Sequence, residues 1–151
     1  MQLTKNFKSE EFVVSKQFPL LLKEIKLTEF DLYKLYILCK TALQPLRDFM
    51  QCPVIVSSGK RSDALNDAVR GEGCSEHLFR GYFCAADVTI ETQLEELYKA
   101  HRFLEHVVPS SIGRAILYLR KSNLPKHIHV SLPTEKYHHV FSISIPRIGG
   151  K

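Results

Sequence analysis

The sequence predicts an α+β domain with a mainly antiparallel sheet and helices packed on one side. Three observations carry this expectation: helix-period apolar residues gather early, strand-like runs gather late with hairpin-length connections between them, and neither a repeat nor a Gly/Ser- or Pro-rich linker divides the chain. A chain of 151 residues holds one core, so residues 1–151 are expected to form a single domain. Ser9 before Glu10 and Glu11 reads as the N-cap of a short helix with acid in its first turn. Thr28 caps a long helix whose apolar face is Leu32, Leu35, Tyr36, Cys39, Ala42, Leu43 and Leu46, and Pro45 is expected to kink it or break it near its end. Val54 to Val56 is a buried strand that runs into the polar turn Ser57 to Ser62, followed by a short helix from Ala64 to Val69. Gly71 to Phe83 is loop, and Ala85 to Ile90 the next strand. Thr92 with Glu95 forms a capping box that opens a helix with the face Leu94, Leu97, Tyr98, His101 and Leu104. Strands at Arg114–Leu119, Ile128–Leu132 and Val140–Ile145 complete the chain.

Composition excludes several classes. With 44% hydrophobic and 25% charged residues, 7 Gly and 7 Pro, the chain is neither disordered nor fibrous. Its longest apolar runs, Phe18–Leu22 and Val54–Val56, fall far short of the roughly 20 residues of a membrane span. Residues Met1 to Lys8 carry charge with no apolar h-region behind them, so no secretory signal peptide is expected, and action outside a cytoplasm would need another route of release. Lysine and arginine total 21 against 16 acidic residues, a net charge of +5, which favours an anionic partner. The basic residues are spread along the chain and not blocked among aromatics, so nucleic acid is a weak reading beside a solvated surface or an anionic polymer such as a bacterial cell wall. Cys39, Cys52, Cys74 and Cys84 make no CxxC pair and read as reduced, mostly buried thiols.

His77, Asp87 and His129 are the candidate metal ligands. Two imidazoles and a carboxylate form a usual protein set for a catalytic zinc, which keeps its fourth position for water. Among 7 histidines none stands out by composition, and His101, His106, His138 and His139 are read as surface or hydrogen-bonded core residues.

Local context singles out the set. Ser75-Glu76-His77, Gly81 and Ala85-Ala86-Asp87 resemble the Ser-x-His, Gly, Ala-x-Asp signature of the D-alanyl-D-alanine carboxypeptidase family of zinc peptidases, relatives of lysostaphin-type and hedgehog-type domains. Upstream, Val54 to Ser62 with Leu65-Asn66 is similar to the family's strand and Ser-Gly-x-Arg-Ser turn; downstream, His127-Ile128-His129-Val130-Ser131-Leu132 resembles its last metal-ligand strand. Leu3 to Phe7, Glu11-Phe12 and Leu43 to Asp48 resemble the small phage-borne and prophage-borne members. The resemblance implies zinc held by His77, Asp87 and His129, substrate anchored or polarised by Arg61, and a hydrogen bond from Ser75 to substrate or the metal shell.

Two departures accompany it. His77 and Asp87 lie ten residues apart where the family signature has seven, which leaves Cys84 or Cys74 as a lesser alternative ligand. Position 126, where many members carry an acid three residues before the last metal histidine, is Lys. Strand alternation puts His127 on the face of His129, as in the His-x-His of lysostaphin-type relatives, so His127 is the expected general base and Glu76 its reserve. The resemblance implies a zinc-dependent metallopeptidase acting on peptidoglycan, of phage or prophage origin and resident in a host cytoplasm or a virion, with carboxypeptidase and endopeptidase both open. The alternative is a catalytically degenerate zinc-binding or structural protein of the same fold.

Overall fold

The computed structural model describes residues 1–90 and 95–146. Thr28 opens helix α1 (Glu29–Leu38) with a reciprocal box: its hydroxyl accepts from the Asp31 N–H at 3.1 Å, and Asp31 Oδ2 accepts from the Thr28 N–H at 3.0 Å. The helix continues through one π-helical turn, Cys39–Leu43, into α2 (Gln44–Met50). Pro45 accounts for that turn. It has no N–H to return to the carbonyl of residue 41, and the Gln44 N–H just ahead of it reaches back five residues to the Cys39 carbonyl. The proline therefore shifts the register and does not end the helix; the end comes at Gln51, in the left-handed region at φ 54°.

Leu35, Cys39, Ala42, Leu43 and Leu46 of the expected stripe are fully buried, whereas Leu32 is half-buried and the face widens at its N-terminal half. Leu38 is inside and Tyr36 is 39% exposed, and the charged residues Asp31 and Lys34 are buried with Leu35. Asp31 Oδ2 accepts from the Lys60 ammonium at 2.6 Å and Lys34 lies 3.6 Å from Oδ1, so the buried carboxylate has two cations beside it. Ser9 is not a cap: Ser9–Phe12 is a 3-10 turn preceded by Lys8, whose N–H donates to Glu11 Oε2 at 2.5 Å. A second 3-10 segment, Pro19–Glu24, has no counterpart in the sequence reading.

Five strands form one sheet in the order β1 (Val54–Ser58), β2 (Ala85–Ile90), β4 (Pro125–Ser131), β3 (Arg114–Leu119), β5 (Val140–Ser144). The three inner pairings are antiparallel, whereas β5 passes to the far edge and runs parallel to β3. One face, with Val56, Val88, Leu117, Ile128 and Val130, packs against Leu35, Leu43, Leu46, Leu97 and Leu104 from α1, its π turn, α2 and α4 (Glu96–His106). Thr92 and Leu94, the expected cap and first apolar position of α4, lie outside the described residues. His101 is buried, and its Nε2–H donates to the Ala115 carbonyl at 2.9 Å, the satisfied core histidine expected of it. The short helix α3 (Asp63–Ala68), capped by Ser62, rests on the 3-10 turn Glu76–Leu78. Among the described residues no helix is long and apolar enough to cross a membrane.

Candidate metal centre

Alternation along the strands turns Asp87, His127 and His129 away from the helix-covered core. Asp87 on β2 lies directly opposite His129 on β4, so their side chains start as a cross-strand pair. His77 arrives from the 3-10 turn, whose cap is Ser75: the Ser75 hydroxyl accepts from the His77 N–H at 3.2 Å. All three side chains are buried.

Their polar atoms converge. His77 Nε2 is 3.1 Å from Asp87 Oδ1, and His129 Nδ1 is 3.2 Å from each of them. The outer ring nitrogens fix the tautomers. His77 Nδ1 faces the Gly59 carbonyl at 2.8 Å and must carry the hydrogen, leaving Nε2 a lone pair; His129 Nε2 donates to Glu76 Oε1 at 2.9 Å, leaving Nδ1 a lone pair. Three acceptors thus point at one spot, an arrangement that calls for a cation between them. A tetrahedral zinc with bonds of about 2.0–2.1 Å separates its ligands by about 3.3 Å, and this triangle fits it. The ten-residue spacing of His77 and Asp87 leaves the geometry intact. Cys84 is sealed in the core and Cys74 is exposed, so neither joins the group, which is His77, Asp87 and His129.

Burial pulls the Asp87 carboxyl upward, but the adjacent His77 and His129 hold it well below the usual carboxylate range. For His129, burial opposes the charge and the two carboxylates, Asp87 and Glu76, outweigh it, so its pKa rises. Glu76 is fully buried behind His129, on the side away from the converging atoms. Burial works against its charge, and hydrogen bonds from His129 and Arg114 still keep its pKa low. The Arg114 Nε–H donates to Glu76 Oε1 at 2.8 Å while the guanidinium lies 3.9 Å over the Tyr137 ring.

The longer loop is held from outside. Lys34 Nζ donates to the carbonyls of Phe79, Gly81 and Phe83 at 2.7, 2.9 and 3.0 Å, so one buried ammonium gathers the segment between the two ligands. Phe79 and Gly81 adopt φ of 56° and 53° to turn it. On the opposite side, a Cβ at Gly59 would lie 2.1 Å from the Phe12 carbonyl oxygen, so the strand turn and the first 3-10 turn touch backbone to backbone. Gly59→Ala is expected to cost about 1–3 kcal/mol in urea unfolding, as overpacking does, and to loosen the carbonyl that orients His77. Wild-type stability in that variant would contradict the contact.

A cleft of about 320 Å³ opens over this group, with Arg61, Arg70, Glu72, Ser75, Tyr118 and His127 on its walls. Arg61 Nη2 is 3.7 Å from Asp87 Oδ2, and its other nitrogens donate to Ser58 Oγ and Asn66 Oδ1, each at 3.3 Å. His127 Nε2 is 3.6 Å from the same Asp87 oxygen. The structure therefore brings together every predicted site residue, with Glu76 behind a ligand and the rest facing the cleft. Arg114 and Tyr118 also line the cleft and were missed; their spacing of four residues on one strand, which puts them on a single face, was the available signal.

A buried His/Asp/His group with its polar atoms converging on one point, set on the antiparallel part of the sheet beneath an arginine-lined cleft, has the donor set that could hold a metal ion. The family model described as Peptidase M15 matches residues 8–131, and the chain belongs to that family. It is a zinc metallopeptidase by that membership. No curated protein matches the chain.

Proposed function

We propose that this protein cleaves peptide bonds in bacterial peptidoglycan, with zinc held by His77, Asp87 and His129. The observation that carries the proposal is the convergence of those three lone pairs at the floor of a cleft that also presents Arg61 and His127. Zinc, when bound, supplies an acidified water and a Lewis-acid charge for the reacting carbonyl. His127 takes the proton from the attacking water and returns it to the leaving amine. Arg61, already fixed by Ser58 and Asn66, anchors a substrate carboxylate or polarises the carbonyl. The Ser75 hydroxyl accepts from the His77 N–H and keeps its own hydrogen for substrate. Glu76 orients His129 through its outer nitrogen. A net charge of +5 suits an anionic wall. A phage or prophage source, and action on the wall after release from a host cell or from a virion, belong to the same proposal; the small-member resemblance of residues 3–7 and 43–48 supports them.

The test is turbidity loss of purified peptidoglycan, with the released fragments identified to name the bond. Zinc binding without any cleavage would replace this reading with the degenerate binding protein. Arg61→Ala is expected to keep zinc by metal analysis and lose roughly 10²-fold in cleavage, the usual cost of a missing electrostatic donor. A variant that unfolds would make Arg61 a structural residue of the turn.

A further inference from the structure

Tyr118 stands on β3 directly opposite His127, and the two rings are 4.9 Å apart at 34°, so the phenol and the imidazole share one wall of the cleft. Several neighbouring polar groups already hold protein partners. Arg61 is tied to Ser58, Asn66 and Asp87, Arg114 to Glu76, and the three converging residues to one another. The Tyr118 hydroxyl has no hydrogen-bond partner among the described residues and is not among the buried orphan atoms, so it reaches the cleft as a free donor. Burial first, and then the Asp87 charge, raise its pKa, which keeps the proton on the phenol.

We propose that Tyr118 is a catalytic residue, its hydroxyl donating a hydrogen bond to the scissile carbonyl oxygen as negative charge develops there. The electron balance is simple. As the water oxygen bonds to the carbonyl carbon, the C=O π pair moves onto oxygen, and Tyr118 stabilises that oxyanion without giving up its proton. The side chain is suited to this. Tilted contact with the His127 ring holds the phenol against the cleft wall, so the donor is in place before the charge appears.

This inference rests on the zinc-peptidase reading, and the experiment separates the two. Zinc-loaded wild type and Tyr118→Phe are compared on purified peptidoglycan fragments, and for binding of a phosphinate analogue of whichever peptide the wild type cleaves. The expected result is unchanged zinc content and Tm, KM within about twofold, kcat lower by roughly 10²-fold, and clearly weaker phosphinate binding. Wild-type kcat and phosphinate affinity in Tyr118→Phe would overturn the inference and leave the peptidase reading standing. Loss of zinc or of Tm in that variant would make Tyr118 structural and overturn it too. A wild type that binds zinc and cleaves nothing overturns both.

Discussion

Alanine at His129 is expected to bring zinc content from near one per chain to near zero and to abolish cleavage. The ring supplies one of three converging atoms, and two remaining donors do not make a tight site for a tetrahedral ion. The variant also strips Glu76 of its shortest partner after Arg114, leaving a fully buried carboxylate with one oxygen already lacking a hydrogen bond. A stability loss of about 1–3 kcal/mol should accompany the loss of metal. Metal analysis on protein purified without chelator reads the first effect and urea unfolding the second. Unchanged zinc would remove His129 from the ligand set.

His127→Ala should separate chemistry from metal binding. Its imidazole faces Asp87 Oδ2 at 3.6 Å, whereas the atom aimed at the metal position is Oδ1, so the triangle survives the substitution. Zinc content and fold should hold while cleavage falls by roughly 10²- to 10⁴-fold, the range for a missing acid–base group. Lys126 cannot compensate, because strand alternation turns it to the other face. Full activity would return the role to Glu76, despite its place behind His129.

Residues whose neighbours are close in sequence were legible before the structure. β2 and β3 begin and end where the pattern put them, and His127 shares its face with His129 because alternation is a local rule. The ligand trio was legible only through the signature around it, since nothing in His77 alone differs from His106. What stayed hidden depends on distant partners. Lys34 reads as surface until carbonyls 45 to 49 residues away are placed around it. Tyr118 and Arg114 became site residues only once β4 was laid beside β3. The parallel edge strand β5 reflects a choice of sheet edge, which hairpin-length spacing does not encode. Glu76, read as a reserve base, is aimed backwards by the turn that brings His77 forwards.

The ammonium at position 34 ties two distant stretches of sequence into one heritable unit. Shortening the segment between His77 and Asp87 by three residues would remove carbonyls that Lys34 needs, leaving a buried cation with Asp31 as its nearest counterion. Replacing Lys34 alone would take the shared donor from three carbonyls at once, that of Phe79 in a buried contact. Either change is costly alone and the pair is not, so loop length and residue 34 should change together. A loop exchanged between this chain and a shorter-looped relative must carry its partner from helix α1 to keep the two ligands in register.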